Sequence, residues 1–155
     1  MPKESLAITT PHVAGDEDIG GIRQIVGFHI RLAHGAVYRN FTENFAHLGL
    51  TQKQVTALWL VDDHPDISQT DVAKRMRMDR ATTMTVVDRL QARRLVVRGR
   101  SKSDGRKQTL NLTAAGRKAL ATAKSAIRRH EHWLKSRFNA REVAKLIEML
   151  TRIHE

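Results

Sequence analysis

Residues 67–113 carry the strongest structural signals of the chain: ISQTDVAKRMRMDRATTMTVVDRLQARRLVVRGRSKSDGRKQTLNLT. Ser68 and Asp71 have the S-x-x-D spacing of a capping box, which predicts a short helix that begins at Ser68. Asp79 is a favourable N-cap for a second helix, whose buried stripe recurs at three- and four-residue spacing as far as Leu90. The stretch therefore begins with two helices joined by a tight turn.

The second half of this stretch changes to a strand period. Residues 95–98 are short and rich in β-branched side chains, and residues 108–112 alternate polar with apolar side chains, so both predict strands. Asp104-Gly105 supplies a turn signal between them. Two helices followed by a basic β-hairpin predict a winged helix-turn-helix, in which the second helix enters the major groove and the hairpin reaches the backbone or the minor groove.

Amphipathic helices flank this unit on both sides. An apolar stripe runs from Ile19 to about residue 47 and predicts one helix of roughly 40 Å that stops near Gly49, longer than the core of a small domain needs. Thr51 predicts a helix that ends before Pro65. After the hairpin, Thr113 starts a long helix. A final helix begins at an N-x-x-E cap, residues 139–142.

Composition excludes several classes of protein. The chain has 155 residues, which suits one compact domain, and no cysteine. Disulfides, thiolate nucleophiles, cysteine-based zinc sites and thiol redox switches are therefore excluded. The longest apolar runs are far too short to cross a bilayer, and residues 1–5 lack the layout of a signal peptide, so we expect no membrane span and a cytoplasmic location.

The charge distribution points to a polyanionic partner. Lys and Arg number 27 against 16 Asp and Glu, for a net charge of +11. Residues 68–113 hold 12 of the basic residues and only 4 of the acidic ones. The excess positive charge is thus concentrated on the predicted winged helix-turn-helix, where a nucleic-acid surface is expected.

Candidate DNA-contacting residues lie on three parts of this unit: the capped start of the first helix, the polar face of the second helix and the hairpin loop. The capped start of the first helix offers free amide groups to a phosphate. Ser68 has a simple helix cap as its alternative role. Arg89 has an alternative role in an ion pair with Asp88 or with the hairpin. Asp104 is expected to stiffen the hairpin through an ion pair, with Arg106 then aimed at the minor groove. The full set is Ser68, Gln69, Thr70, Arg80, Thr82, Thr85, Arg89, Arg100, Lys102, Asp104, Arg106 and Lys107.

Five motifs in register resemble the MarR family of bacterial transcription regulators. They are LTxxQ at 50–54, ISQxxVA at 67–73, DRAT at 79–82 with VDRL at 87–90, DGR at 104–106 and LTxxG at 112–116. The resemblance spans about residue 20 to the C-terminus. It implies a homodimeric winged-helix repressor, dimerised through its first and last helices, that leaves a palindromic operator when a small, often aromatic, molecule binds.

The resemblance also implies a mainly α fold with a small β-hairpin wing and long N- and C-terminal dimerisation helices. We expect a flexible N-terminal arm (1–18), a dimerisation helix (19–49), a winged helix-turn-helix DNA-binding domain (50–113) and C-terminal dimerisation helices (114–155). Two positions depart from the family pattern. Arg94 stands where many members have a left-handed Gly. Thr85 replaces a frequent Arg, so we expect it to meet a thymine methyl or a phosphate rather than guanine.

An effector site is suggested by aromatic side chains on the first two predicted helices, with cationic groups beside them. These features fit an apolar slot for an aromatic acid or its coenzyme A thioester, although ordinary core and dimer packing explains the same aromatic residues. The candidate residues are Phe28, His29, Arg31, His34, Tyr38, Phe41 and Trp59.

Three other functions fit the sequence less well. A metal-responsive regulator would use the eight histidines, but His29 and His34 are five residues apart, and His130 and His132 two, so neither pair shares a helix face at i, i+4. An enzyme is not expected, because no G-x-S-x-G, Gly-rich phosphate loop or H-E-x-x-H motif occurs, and no cofactor or catalytic residue is assigned. A sequence-independent architectural binder of nucleic acid would share the basic charge but would lack sequence preference.

Overall fold

The computed structural model describes residues 19–155, so the predicted arm (1–18) lies outside the described residues. The described part is mostly helical with a small three-stranded antiparallel sheet, which confirms the predicted fold class. The elements in chain order are α1 (Val26–Phe45), α2 (Gln52–Asp63), β1 (Ile67–Ser68), α3 (Gln69–Arg75), α4 (Arg80–Ala92), β2 (Val96–Arg100), β3 (Gln108–Leu112), α5 (Ala114–Lys135) and α6 (Ala140–His154).

The chain forms two compact units, one up to Ala36 and one from Val37 onward. The described part of the first unit contains a 3-10 turn (Gly20–Gln24) and the first half of α1. The prediction of one unbroken helix over residues 19–47 was wrong at its start, whereas the predicted stop near Gly49 agrees with the end of α1 at Phe45, the 3-10 turn Ala46–Leu48 and the left-handed Gly49. Gly20 has a φ of +61° and Ile25 is extended, so the helix begins only at Val26, because two adjacent glycines favour helix poorly.

Side-chain caps begin the helices of the second unit where the sequence predicts them. The capping side chains accept backbone N–H groups of the first helical turn in α2 to α6, and they are Thr51, Ser68, Asp79, Thr113 and Asn139. Each such cap is worth about 1 kcal/mol. These caps place the start of α3 and of α4 within the helix-turn-helix, and with them the residues expected to meet DNA.

The sheet has the strand order β1-β3-β2. Strand β3 coincides with the predicted residues 108–112, and it pairs antiparallel with β2 from Val96↔Leu112 to Arg100↔Gln108. Strand β1 was missed: it has two residues, Ile67 paired with Leu110 and its neighbour, too few to show a period of two. Its pairing ties the start of α3 to the wing.

The core of the second unit lies where α1, α2, α3, α4 and α5 meet the sheet. Its largest enclosed side chains include Phe45, Leu58, Leu90, Leu110 and Leu120. Burial of side chains of this size contributes about 1.5–3 kcal/mol each. One close approach requires glycine: a Cβ at residue 116 would lie 2.0 Å from the carbonyl oxygen of Leu95, so the start of α5 packs directly on the chain that enters β2.

Arg94 has a φ of +56°. The position that often holds Gly in the family therefore keeps its left-handed conformation here with an arginine in place. Its N–H donates to the carbonyl of Gln91 at 2.8 Å, which closes the end of α4. A side chain in this conformation costs about 1–2 kcal/mol.

The last helix, α6, has no buried residue among its 15. Its apolar side chains recur at helical spacing and stay open, with Ile147 at 57%, Leu150 at 43% and Ile153 at 63% of their full exposure. Within residues 19–155 no helix is both long and apolar enough to span a membrane.

Candidate nucleic-acid interface

The start of α3 and the wing face each other across one groove of about 470 Å³. Ser68, Gln69 and Thr70 line one side of the groove, and Arg106 and Lys107 line the other. The structure thus brings together residues almost forty positions apart that the sequence placed on the same surface. Lys74 also lines this groove and was not among the predicted residues, although its place one turn into α3 could have indicated it.

Ser68 acts as the helix cap of α3. Its hydroxyl oxygen accepts the backbone N–H of Asp71 at 3.0 Å and its O–H donates to the Asp71 carboxylate at 2.7 Å. The hydroxyl is therefore engaged within the protein. A contact of Ser68 with DNA stays a prediction.

Arg80 at the start of α4 lies beside α3. Together with Gln69 and Thr70 it lines a small depression of about 50 Å³. The residue is exposed. This placement sets a cation next to the α3–wing groove, which is where the predicted phosphate contact requires one.

Two threonines of the predicted reading face use their hydroxyl donors inside α4. The Thr82 O–H donates to the Asp79 carboxylate at 2.6 Å, and the Thr85 O–H donates to the carbonyl of Ala81 at 3.1 Å. The hydrogen bond from the Thr82 hydroxyl, followed by that from its backbone N–H, holds the pKa of Asp79 below its ordinary value. Each threonine keeps a methyl group and an oxygen acceptor available, which is compatible with the thymine contact predicted for Thr85; that contact stays a prediction.

Thr82, Thr85 and Arg89 line a different and larger space, and they do not border the α3–wing groove. It has a volume of about 620 Å³, is open to solvent on one side and is bordered elsewhere by the second half of α1 and the start of α2. The predicted DNA residues of α4 therefore border two spaces rather than one. Met84 on the same helix is 50% exposed.

Arg98 of β2 ties the wing to both helices of the helix-turn-helix. Its guanidinium lies 2.6 Å from the Asp88 carboxylate of α4 and 3.2 Å from the side-chain oxygen of Gln69 on α3. It also donates to the side chain of Gln91. Asp88 is thus paired with Arg98 and not with Arg89, the alternative left open by the sequence. Sequence reasoning missed this role because its partners lie 7 to 29 residues away along the chain.

The prediction of an ion pair for Asp104 was wrong. Among residues 19–155 no cationic side chain lies within ion-pairing distance of this carboxylate, which instead accepts the backbone N–H of Arg106 at 3.1 Å. Ser101 accepts the backbone N–H of Asp104 at 3.3 Å. A short aspartate reaches the backbone two residues ahead more easily than a guanidinium, so an Asx-type turn stiffens the loop. Arg100 lies near the turn, 3.5 Å from the carbonyl oxygen of Gly105.

The lysines and arginines at the tip of the wing are open. Lys102, Arg106 and Lys107 are all exposed. With Asp104 engaged by the backbone, the cationic side chains are not tied to it. The wing therefore presents its positive charge outward, as contact with phosphates requires.

The predicted effector residues divide between the two compact units. Phe41 and Trp59 line a cavity of about 290 Å³ between α1, α2 and α5, and Tyr38 lines the 620 Å³ space, which Phe41 also borders. The rings of Phe41 and Phe45 stack with centroids 3.9 Å apart. Phe41 is thus the aromatic side chain that borders both spaces, and its stacking partner Phe45 borders the larger one.

The other four predicted effector residues belong to the first unit. There the Arg31 guanidinium lies 5.2 Å from the centroid of the Phe28 ring, and the Nε2 of His29 lies 2.6 Å from the carbonyl oxygen of Arg23. His34 follows in the same unit. Their part in an effector site stays a prediction.

His130 is a further polar group of the 290 Å³ cavity that sequence reasoning did not assign to a site. It is 7% exposed, and burial lowers its pKa, against an opposing effect of the Glu131 carboxylate. Its Nδ1 lies 2.7 Å from the side-chain oxygen of Asn40. The feature of the sequence that could have indicated this role is a histidine on an otherwise apolar face of the predicted helix. In the part of the chain that the structure describes, no group of three or more His, Asp or Glu residues is placed to hold a metal ion.

Comparisons with known proteins place these features in a family context. A model described as MarR family matches residues 48–107. A protein of Thauera aromatica described as a putative transcriptional regulatory protein for the hcr operon is 30% identical over 136 residues, 87% of this chain and 82% of that protein.

Solved structures show the same similarity. The transcriptional repressor CouR bound to a 23-mer DNA duplex superimposes with a TM-score of 0.84 at 32% identity, covering 90% of this chain and 99% of that one. CouR bound to p-coumaroyl-CoA superimposes with a TM-score of 0.81 at 30% identity over the same shares.

Proposed function

Because this chain belongs to the MarR family of transcription regulators, we propose that it is a homodimeric repressor that binds a palindromic operator and leaves it when an aromatic effector binds. The observation that carries the proposal is the groove in which the start of α3 meets the basic wing. One duplex can meet both elements there. The Arg98 contacts hold the wing against α3 and α4.

Each part of the interface has a distinct task in this proposal. Helix α4 lies in the major groove, where Thr82 and Thr85 present methyl groups to thymine and Arg80 and Arg89 contact base edges or phosphates. Phosphates bind at the start of α3. From the wing, Arg106 reaches the minor groove while its lysine neighbours meet the backbone. Phosphate contacts fix the position of the protein and α4 reads the sequence.

Dimerisation is supported by the uncovered apolar side of α6. Exposed side chains such as Ile147 and Ile153 at helical spacing form the kind of surface that subunits bury in one another. We assign residues 19–49 and 114–155 to this dimer layer and residues 50–113 to DNA binding. A two-fold axis between the subunits would present two α4 helices to successive major grooves.

The effector site is proposed at the two neighbouring spaces that share Phe41 and Gln52. An aromatic acid or its coenzyme A thioester suits their aromatic walls. The relative CouR has been solved with p-coumaroyl-CoA, which supports a ligand of this class. Since Arg89 and Thr85 of α4 line the larger space, a ligand held there would bias the position of the reading helix, and so change operator affinity.

The proposal is tested on the promoter of the protein's own gene. We expect footprinting to show two protected half-sites with centres about 10 base pairs apart, and we expect an aryl-CoA thioester or aromatic acid to remove the protection. Protection of scrambled duplexes with equal affinity would instead support a sequence-independent architectural binder. Release by zinc alone would support the metal-responsive alternative.

A further inference from the structure

Residues 81–88 of α4 have no side-chain hydrogen-bond donor that is still available. Three of them are threonines, and all three donate their O–H groups within the helix. The Thr82 hydroxyl donates to the Asp79 carboxylate at 2.6 Å, and the Thr83 hydroxyl donates to the backbone carbonyl of the same aspartate at 2.9 Å. The Thr85 hydroxyl donates to the carbonyl of Ala81 at 3.1 Å. The remaining side chains of the stretch are apolar or, at residue 88, an aspartate, and none of these donates at neutral pH.

The two arginines of α4 that are expected to contact DNA lie at the edges of its exposed face. Arg80 borders the depression beside α3, whereas Arg89 borders the 620 Å³ space beside α1 and α2. Nine residues separate them along the helix, about two and a half turns, so they lie on opposite sides of it. Side-chain donors for bases or phosphates are thus present at the two edges of this face and absent from residues 81–88 between them.

Met84 lies on the exposed face between these edges, about one turn after Arg80 and one turn before Asp88. Its side chain is 50% exposed. The neighbouring Asp88 carboxylate is engaged by Arg98 at 2.6 Å. Within residues 50–113 the exposed large apolar side chains are those of Met84 and Val97. One exposed apolar side chain is common on a protein surface, but this one lies on the face that is expected to enter the major groove.

We propose that Met84 is a specificity-determining residue, whose apolar side chain contacts the C5 methyl group of a thymine in each operator half-site. This methyl group is the apolar feature that base pairs present in the major groove, and its recognition requires no hydrogen-bond donor. A methionine side chain is long and flexible, so it can reach a base edge and adapt to it. The inference rests on the proposed function and deepens it, because it names the chemical group that the middle of α4 reads.

The other partners that the major groove offers suit Met84 poorly. A thioether has no charge and no proton to donate, so it cannot bind a phosphate as an arginine does. A guanine or adenine at the same place would lose water from its N7 acceptor without gaining a donor from residues 81–88. A cytosine has no C5 methyl group. Met84 therefore favours a thymine over each of the other three bases.

The test uses the whole chain and the operator that footprinting identifies on the protein's own promoter. Each thymine of a half-site, together with its symmetry mate, is replaced by deoxyuridine, which removes the methyl group and keeps every hydrogen-bonding group. Fluorescence anisotropy measures the affinity. At one thymine position or more, we expect wild-type binding to weaken by about fourfold for each half-site, the contribution of one buried methyl group. Deoxyuridine outside the protected half-sites is the control and should have no effect.

Three variants assign the methyl contact to a side chain. Met84→Ala should bind the thymine and deoxyuridine operators equally at one of these positions, whereas Met84→Leu keeps an apolar side chain and should keep the preference for thymine. Thr85→Ser removes the neighbouring methyl group and keeps the hydroxyl, so it should also keep the preference at that position. An effect of deoxyuridine on DNA shape alone would persist in Met84→Ala. Thermal melts check that the variants fold.

Three results would overturn the inference: operator binding by the wild type with no loss at any deoxyuridine position, an unchanged preference for every thymine in Met84→Ala, or loss of that preference in Thr85→Ser but not in Met84→Ala. Each of them would leave the proposed function intact, because the wild type still binds its operator. Failure of the wild type to bind its own promoter would count against the proposed function, and the inference would fall with it.

Discussion

The carboxylate of Asp88 on α4 lies 2.6 Å from the guanidinium of Arg98 on β2. This ion pair joins the helix expected in the major groove to the strand that carries the wing. Arg98 also contacts Gln69 on α3, so one side chain contacts all three elements that are expected to face DNA. The Asp88–Arg98 ion pair has no net charge. Its effect on the position of the wing can therefore be distinguished from an effect of charge on DNA binding.

Asp88→Ala tests this positional effect. Loss of an acidic group raises the positive charge and by electrostatics alone would tighten DNA binding. If the pair positions the wing, operator affinity falls instead, by about tenfold, because a misplaced wing no longer reaches its phosphates. Fluorescence anisotropy on the operator measures the change. Asp63→Ala, which removes the same charge from the end of α2, should leave binding equal or slightly tighter.

Arg106→Ala and Thr82→Ala should weaken binding in different ways. If a dimer neutralises about eight phosphates, log affinity falls by about 7 per decade of salt concentration. Arg106→Ala should reduce that slope by about 1 for each phosphate that loses its arginine contact. The same variant should weaken binding to all DNA sequences equally. Thr82→Ala should keep the slope and change the preferred base. Titrations at several salt concentrations on matched and scrambled operators measure both effects. A wild-type slope shallower than about −3 would contradict the proposed footprint.

Arg94→Gly should be more stable than Arg94→Ala by about 1 kcal/mol, because only the alanine keeps a Cβ in the left-handed conformation. Both variants lose the same guanidinium, so their difference isolates the backbone strain. Urea denaturation measures the free energy of unfolding of each. Equal stabilities would show that residue 94 leaves the left-handed region at little cost.

Gly116→Ala should lose at least about 2 kcal/mol of stability, since the new methyl would lie 2.0 Å from the backbone oxygen of Leu95 and neither backbone can yield easily. Gly27→Ala is the matched control. Gly27 lies in α1 with nothing within 4 Å of an added Cβ, so the same change should be neutral or should stabilise by about 0.5–1 kcal/mol. Thermal unfolding distinguishes the two outcomes.

Acidification should destabilise the protein through His130. Burial lowers the pKa of this histidine in the folded state from an ordinary value of 6.5, and the neighbouring Glu131 only partly offsets the effect. As pH falls below 6.5, the unfolded chain binds more protons at this site than the folded one, so the free energy of unfolding decreases. The fall between pH 7.5 and 5.5 should be smaller in His130→Gln. An equal fall in both proteins would show that His130 titrates normally.

Local chemistry predicted most of the fold. Caps such as Thr51, Asp79 and Thr113 begin helices at the expected residues because a side-chain oxygen satisfies an N–H only a few residues away. Strand β3 was predicted from the alternation of polar and apolar side chains over its five residues. The first helix was predicted to begin too early, because the spacing of apolar side chains does not report the backbone preference of glycine.

The candidate site was predicted as a set of residues but not as an arrangement. That Asp104 binds the backbone, that Arg98 holds Asp88 and that Arg89 borders a cavity shared with α1 depend on which groups come within 3–4 Å after folding. Each of these groups binds one partner among many side chains of the same type, and the sequence has no periodic pattern that indicates which one.

The chain's own residues thus determined the starts of its capped helices α2 to α6, its basic wing and its likeness to one family, because caps, periods and turn residues act over a few positions. Only packing decided the partners of Arg98 and the contact of His130 with Asn40, which spans 90 residues. Hydrogen bonds and ion pairs act over a few ångströms in space and are independent of separation along the chain, so they emerge only when the helices and sheet have come together.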